Sequence, residues 1–291
     1  MIEKGPQNSN AFHLAGIVPV AGQPLDFNLP WHDSLMPIAA DYLAVEHAVL
    51  ECATAGCETI WVVCHADMQP LIRHRLGEWI YDPVSMGRGP LADKELKKIP
   101  IYYVPIHPKD RDRRDCLGWS VLYGALSAYH ISKRLSKWVV PDRYFVSFPY
   151  GLYPLDVIRS SRAAISSPKP FYLMCGEKNI KTGDYLAFTF DGEDFKKCRK
   201  VVRTESTARW DREGNSLPIE KRYSARHFSL DKIFSCVILD MSDGVEAPWY
   251  QPIDSWDNYR SFMASDYSFE RPSFMKSKTW NKIGRDNGDD N

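Results

Sequence analysis

Apolar run length and spacing divide this chain into elements. Leu14-Ala-Gly-Ile-Val-Pro-Val-Ala21 is a continuous apolar run that stops at Gly22. A short run without polar positions is covered on both faces, so residues 13–20 are predicted to form a buried parallel strand. Ala44, Ala48, Val49 and Cys52 recur at helical spacing, which predicts a helix over Tyr42–Ala55. Asp41 is placed to cap its start and Gly56 to end it in the left-handed region. Thr59-Ile-Trp-Val-Val-Cys-His65 is a second β-rich run, so the first 65 residues read as a βαβ unit with a right-handed crossover. Pro70–Trp79 reads as a short helix opened by proline, and 82–98 as a loop rich in glycine and charge. Ile101–Pro105 follows as a third strand. A helix is predicted from Leu117 to about Arg134, with Leu122, Ala125, Leu126 and Tyr129 inward, then a fourth strand over Arg143–Phe148. Strands alternating with helices predict a doubly wound, mainly parallel α/β sheet.

The pattern changes after about residue 170. Tyr185–Phe190, Asp191-Gly192 and Asp194-Phe195 suggest a hairpin at an Asp-Gly turn. Residues 203–222 are highly charged and read as a solvent-exposed insertion. Ile233–Leu239 is expected as a further strand and Asp257–Ser265 as a helix. The C-terminal half is therefore expected to carry a small β-rich insertion. Residues 1–12 are expected as a flexible arm, 13–265 as a single domain and 266–291 as a C-terminal extension. The end of that extension, rich in glycine and aspartate, is expected to be disordered.

Lysine plus arginine equals aspartate plus glutamate at 37 each, so no global field draws the chain to nucleic acid or an anionic membrane. No apolar run reaches the roughly 20 residues of a membrane span, and the first twelve residues do not resemble a signal peptide. Seven cysteines with no C-x-x-C pair suit a reducing, cytoplasmic setting without disulfides. The heavy aromatic load, with nine tryptophans and fifteen tyrosines, suits core packing and a homo-oligomer interface.

The chemistry concentrates at strand ends. A glycine at the carboxyl end of a first strand, as in Ala21-Gly22, is where α/β proteins place phosphates. The following loop, Gln23-Pro-Leu-Asp-Phe-Asn-Leu-Pro-Trp-His-Asp-Ser34, contains no lysine and no arginine. His65 and Asp67 follow the second strand, where base or ribose contacts are made. Lys109-Asp-Arg-Asp-Arg-Arg-Asp115 supplies the nearest cations; Arg111, Arg113 and Arg114 have the forked geometry that suits phosphate. His32-Asp33 reads as a turn or cap before it reads as a base with its orienting carboxylate. No P-loop and no H-E-x-x-H motif occurs.

Four segments, in order, resemble the sugar-nucleotide pyrophosphorylases and related nucleotidyltransferases of the GT-A-like, nucleotide-diphospho-sugar transferase fold. Val18-Pro-Val-Ala-Gly22 with Leu35-Met-Pro-Ile38 resembles the opening strand, nucleotide loop and "P-K-P-L-L-P-V" segment. Ala55-Gly-Cys-Glu-Thr-Ile-Trp-Val-Val63 is similar to "A-G-I-x-x-I-x-V-V". Leu117-Gly-Trp-Ser-Val-Leu-Tyr-Gly-Ala-Leu126 is similar to "G-T-A-G-A-L", and Pro252-Ile-Asp-Ser-Trp-Asp-Asn-Tyr259 to "I-D-T-P-E-D-Y". The resemblance implies a divergent protein that binds a nucleotide or nucleotide sugar and transfers a nucleotidyl group to a sugar phosphate with magnesium. It implies nucleotide contacts at Ala21, Gly22, His65, Asp67, Leu117 and Gly118. Asp254 is implied as a metal ligand, catalytic cations at Arg111, Arg113 and Arg114, and an acceptor-side part at about 170–240. The departures are specific. Asp33 stands on or beside the family's lysine, and Asp26 and Asn28 stand in the region of its arginine. Pro149-Tyr150-Gly151 stands where a Gly-Asp would bind metal. These losses point to an alternative, a catalytically inactive binding or assembly module; a glycosyltransferase on the same fold is the other alternative to nucleotidyl transfer.

Overall fold

A computed structural model describes residues 12–24, 26, 28–87, 97–211, 213–237 and 244–275. The element order is β1 (Leu14–Pro19), β2 (Pro37–Ala39), β3 (Tyr42–Leu43), α1 (Ala44–Ala55), β4 (Thr59–Cys64), α2 (Gln69–Leu76), β5 (Trp79–Tyr81), α3 (Pro83–Gly87), β6 (Lys98–Pro105), α4 (Pro108–Arg114) and α5 (Leu117–Leu135). It continues with β7 (Arg143–Val146), β8 (Gly151–Leu152), α6 (Leu155–Ile165), β9 (Leu173–Met174), β10 (Phe188–Phe190), α7 (Gly192–Glu205), α8 (Leu230–Phe234), β11 (Val245–Glu246), β12 (Gln251–Pro252) and α9 (Trp256–Met263).

Six strands form the central sheet in the order β10-β7-β1-β4-β6-β5. β7, β1, β4 and β6 run parallel, while β10 and β5 close the two edges antiparallel. β1 registers Ile17 against Trp61 on one side and Val146 on the other. Successive side chains of β1 feed different cores, as a strand's two-residue period requires. Leu14 and Val18 pack with α1 and α6, and Ala15 and Ile17 pack with α5 and α8. Both faces are covered, so the apolar run of β1 contains no exposed position. Burial of each large aliphatic side chain contributes roughly 1.5–3 kcal/mol.

The mainly parallel α/β sheet agrees with the sequence pattern, and several local expectations are corrected. The helix predicted from Tyr42 begins at Ala44. Asp41 does not cap it but sits in a turn at φ 55° between β2 and β3. The Leu43 amide is instead met by the Glu46 carboxylate at 2.9 Å, and Gly56 ends the helix at φ 97° as expected. The helix from Pro70 stops at Leu76, because Gly77 and the edge strand β5 follow. The segment that carries Arg111, Arg113 and Arg114 is helical over Pro108–Arg114, opened by His107 and Pro108.

Asp191-Gly192 makes no hairpin. The Asp191 carboxylate accepts from the amides of Glu193 and Asp194 and starts α7, whose Asp194, Cys198 and Val202 face inward at four-residue spacing. Ile233 belongs to α8 rather than to a strand, and residues 238–240 lie outside the described residues. Within 170–240, short β9 and β10 stand beside α7 and α8. Of the expected arm and disordered tail, residues 1–11 and 276–291 likewise lie outside the description. No described helix is long and apolar enough to cross a membrane.

Candidate functional site

From β1 the chain crosses to β4 on one side and later reaches β7 on the other. The crevice beyond the carboxyl ends of β1 and β7 is the topological switch point, where open α/β sheets take ligands. The backbone leaves β1 under tight control. The amides of Val20 and Ala21 both donate to the Val63 carbonyl, at 2.8 and 3.0 Å. Gly22 then turns at φ 83°, and a Cβ there would run into the Cys116 carbonyl. The Ser120 hydroxyl donates to the Ala21 carbonyl at 2.5 Å. At Gly118 a Cβ would lie 2.5 Å from Ile233 Cδ1. Ala21, Gly22, Leu117 and Gly118 are thus brought together as one junction between the end of β1 and the start of α5.

Aromatic side chains occupy the crevice itself. Tyr150 follows β7, is wholly buried, and donates its hydroxyl to the Val20 carbonyl at 2.7 Å. The Tyr185 ring lies edge-on to Phe148 and Tyr150, with centroids at 6.0 and 5.7 Å. The Gln23 amide donates to the Tyr185 hydroxyl at 3.1 Å, and that hydroxyl donates to Asp254 Oδ2 at 3.0 Å. Asn258 occupies Asp254 Oδ1 at 2.7 Å. Burial, then the Asp254 carboxylate, push the Tyr185 hydroxyl well above its ordinary range. Asp254 is therefore linked through Tyr185 to Gln23, the residue after Gly22.

Both carboxylates of the cation-free loop accept backbone amides. Asp26 accepts the Trp256 amide at the first turn of α9 at 2.9 Å and the Asn28 amide at 3.0 Å. These two amides hold its pKa below the ordinary value. Asp33 is buried in a single 3₁₀ turn, accepts the Ser34 amide at 2.9 Å and lies 3.0 Å from His32 Nδ1. Its second oxygen meets no hydrogen-bond partner among the described residues.

The cations implied for chemistry are dispersed. Arg111 pairs with exposed Asp67 at 3.2 Å. Arg114 pairs with Asp110 at 3.3 Å and lies over the Trp119 ring at 5.0 Å. Arg113 is exposed, and its carbonyl accepts the Ala225 amide at 2.7 Å. His65 bonds Asp115 at 3.0 Å. Among the described residues no hydrogen bond or ion pair joins these arginines to Asp254 or to the first loop. Nor does any group of three His, Cys, Asp or Glu side chains converge on a common point. Magnesium needs several oxygen ligands in octahedral order. Asp254, with one oxygen held by Tyr185 and the other by Asn258, does not fit it as it stands.

Tyr150, Tyr185 and Gln23 were absent from the sequence-derived site. The one available signal was Phe148-Pro-Tyr-Gly151, a strand end where the resemblance would place a carboxylate.

No protein-family model matches the chain, and no curated protein sequence matches it. Solved structures do. One is described as a glucose-1-phosphate thymidylyltransferase from Bacillus anthracis, solved with a sucrose. It is 11% identical over 89% of this chain and 98% of that one, with a TM-score of 0.52. A UDP-glucose pyrophosphorylase solved with UDP-glucose is also 11% identical, over 86% of this chain and 97% of that one, with a TM-score of 0.49. The first of these shows the fold: mixed α/β with a mainly parallel central sheet, of the nucleotidyltransferase-like type.

Proposed function

We propose that this chain is a nucleotidyltransferase-fold protein that has lost nucleotidyl transfer and serves as a binding or assembly module. The observation that carries this is the filled crevice: Tyr150 is wholly buried between the ends of β1 and β7, with its hydroxyl on the Val20 carbonyl. In-line attack on an α-phosphate works by positioning and by cations around the transferred group. Here the loop beyond Gly22 offers Asp26 and Asp33 instead. Beside a phosphate, a carboxylate in place of a cation turns attraction into repulsion.

One observation favours a second reading. Asp254 remains tied to the first loop through Tyr185 and Gln23. In that reading a nucleotide or nucleotide sugar binds along Ala21, Gly22, Leu117 and Gly118. His65 and Asp67 would face its base or ribose, and Arg111, Arg113 and Arg114 its phosphates.

Thermal-shift titration with nucleoside triphosphates and sugar nucleotides, with and without magnesium, separates the two when run beside a pyrophosphate-release assay with sugar phosphates. A ligand at a hundred times its Kd adds about 2.7 kcal/mol, a visible rise in Tm. The expected result is a flat Tm and no pyrophosphate. Stabilisation without turnover moves the conclusion to the second reading, and magnesium-dependent pyrophosphate release overturns the first.

A further inference from the structure

Cys198 lies on the inner face of α7 and is wholly buried, while Cys236, just beyond α8, is partly exposed. Their sulfurs are 3.5 Å apart although the residues are 38 positions apart in sequence. Cys52 and Cys57 also neighbour one another, but both are wholly enclosed beneath β1, where no oxidant reaches. Cys64 and Cys116 are buried too. The pairing of one partly exposed cysteine with one buried cysteine, their sulfurs at van der Waals distance, marks Cys198 and Cys236 as different in kind.

We propose that Cys198 and Cys236 are an oxidisable dithiol that closes into a disulfide when a disulfide oxidant such as oxidised glutathione reaches Cys236. The Cys236 thiolate attacks one glutathione sulfur. That bond forms as the glutathione disulfide breaks, and the proton lost from Cys236 ends on the departing glutathione thiol. Cys198 then attacks the Cys236 sulfur and expels the second glutathione. Two protein thiols are oxidised and one glutathione disulfide is reduced to two thiols. Entry is at Cys236 because burial, and then the adjacent Cys236 sulfur, hold the Cys198 thiol pKa well above its ordinary range, which leaves it a poor first nucleophile.

The bond would tie α7 to the turn after α8. Ile233 of α8 packs on Gly118 at the start of α5. Oxidation would thus fix the element that backs the β1–α5 junction. Closing this long loop also restricts the unfolded chain, so the oxidised protein should melt higher than the reduced one.

Full-length protein is incubated with oxidised glutathione, alkylated, digested and mapped by mass spectrometry without reductant. The expected product is a linked Cys198–Cys236 peptide pair two hydrogen masses lighter than its free components, with a raised Tm that Cys236→Ser abolishes. In Cys198→Ser a glutathione adduct should persist at Cys236. A buried hydroxyl can prevent folding, so Cys198→Ala is run in parallel, and circular dichroism of the reduced proteins identifies the folded one. Three results overturn the proposal: a glutathione adduct that persists on Cys236 in the unmutated protein, linkage between other cysteines, or seven thiols still free after oxidation.

Discussion

Glu46 and Asp33 are equally buried, each about 1% exposed, and the fold treats them in opposite ways. Glu46 Oε2 accepts the Leu43 amide and an Arg75 guanidinium, both at 2.9 Å, and Oε1 accepts Arg271 at 2.8 Å. The two arginines also hold Asp41, at 2.8 and 2.7 Å, so α1, the end of α2 and the C-terminal segment converge on one charge cluster. Phe269 packs edge-on against His47 beside it, at 4.6 Å. Among the described residues Asp33 is bonded by its chain neighbours His32 and Ser34 alone, and one oxygen is left over. Burial alone therefore says nothing about a carboxylate's role. Compensation from distant segments marks a clamp, and the unmatched oxygen marks a carboxylate held by its own turn alone.

The largest expected effect is at the clamp. Arg271→Ala leaves Glu46 buried with two of its three partners and detaches the Met275 carbonyl, which accepts Arg271 at 2.9 Å. Breaking one partner of a buried ion pair costs about 3–5 kcal/mol. Chemical denaturation should show a loss of that size, and Arg271→Lys should fall between, because a single ammonium cannot reproduce the fork. A loss below about 1 kcal/mol would place Glu46 in the same category as Asp33.

The parallel strands were legible because β1 and β4 are continuous apolar runs, which only a doubly covered sheet requires. The edge strands β5 and β10 were not legible as strands of that sheet. Each is three residues long, and its place is set by a partner rather than by its own pattern. Asp191-Gly192 misled because an Asp-Gly pair suits a hairpin turn and a helix start equally. The inward face of α7 settles it, and that face is recognised only once the partner α8 is in place. The glycine junction of the candidate site was legible from Gly22 and Gly118, since sheet topology brings the end of β1 to the start of α5. Tyr150 was not, because its partner Val20 is 130 residues away, and neither was Arg271, which is 225 residues from Glu46. Long-range polar contacts leave no local periodicity in the sequence.

A smaller effect is expected at the other carboxylate. Asp33→Asn keeps an acceptor for the Ser34 amide and removes an oxygen that has no partner. Stability should change by about 1 kcal/mol or less, in either direction. Melting the Asp33→Asn and Glu46→Gln proteins side by side is the direct contrast. Equal and large losses would show that Asp33 is held as firmly as Glu46, and that the unmatched oxygen has a partner in solution.

The smallest effect concerns Asp26, whose exposed carboxylate joins the first loop to the first turn of α9. The amides of Trp256 and Asn28 lower its folded pKa below the ordinary 3.8. A depressed carboxylate binds fewer protons folded than unfolded, so its contribution is fully present above the unfolded pKa. It disappears as the pH falls through the lower folded value. Asp26→Asn should therefore melt slightly below the unmutated protein at pH 6–7. The gap should narrow once the pH drops below about 4 and should close when both proteins are neutral at this position. A gap that stays constant from pH 7 to pH 3 would mean that the charge of Asp26 contributes nothing. The acidity of the first loop would then have no structural use at α9.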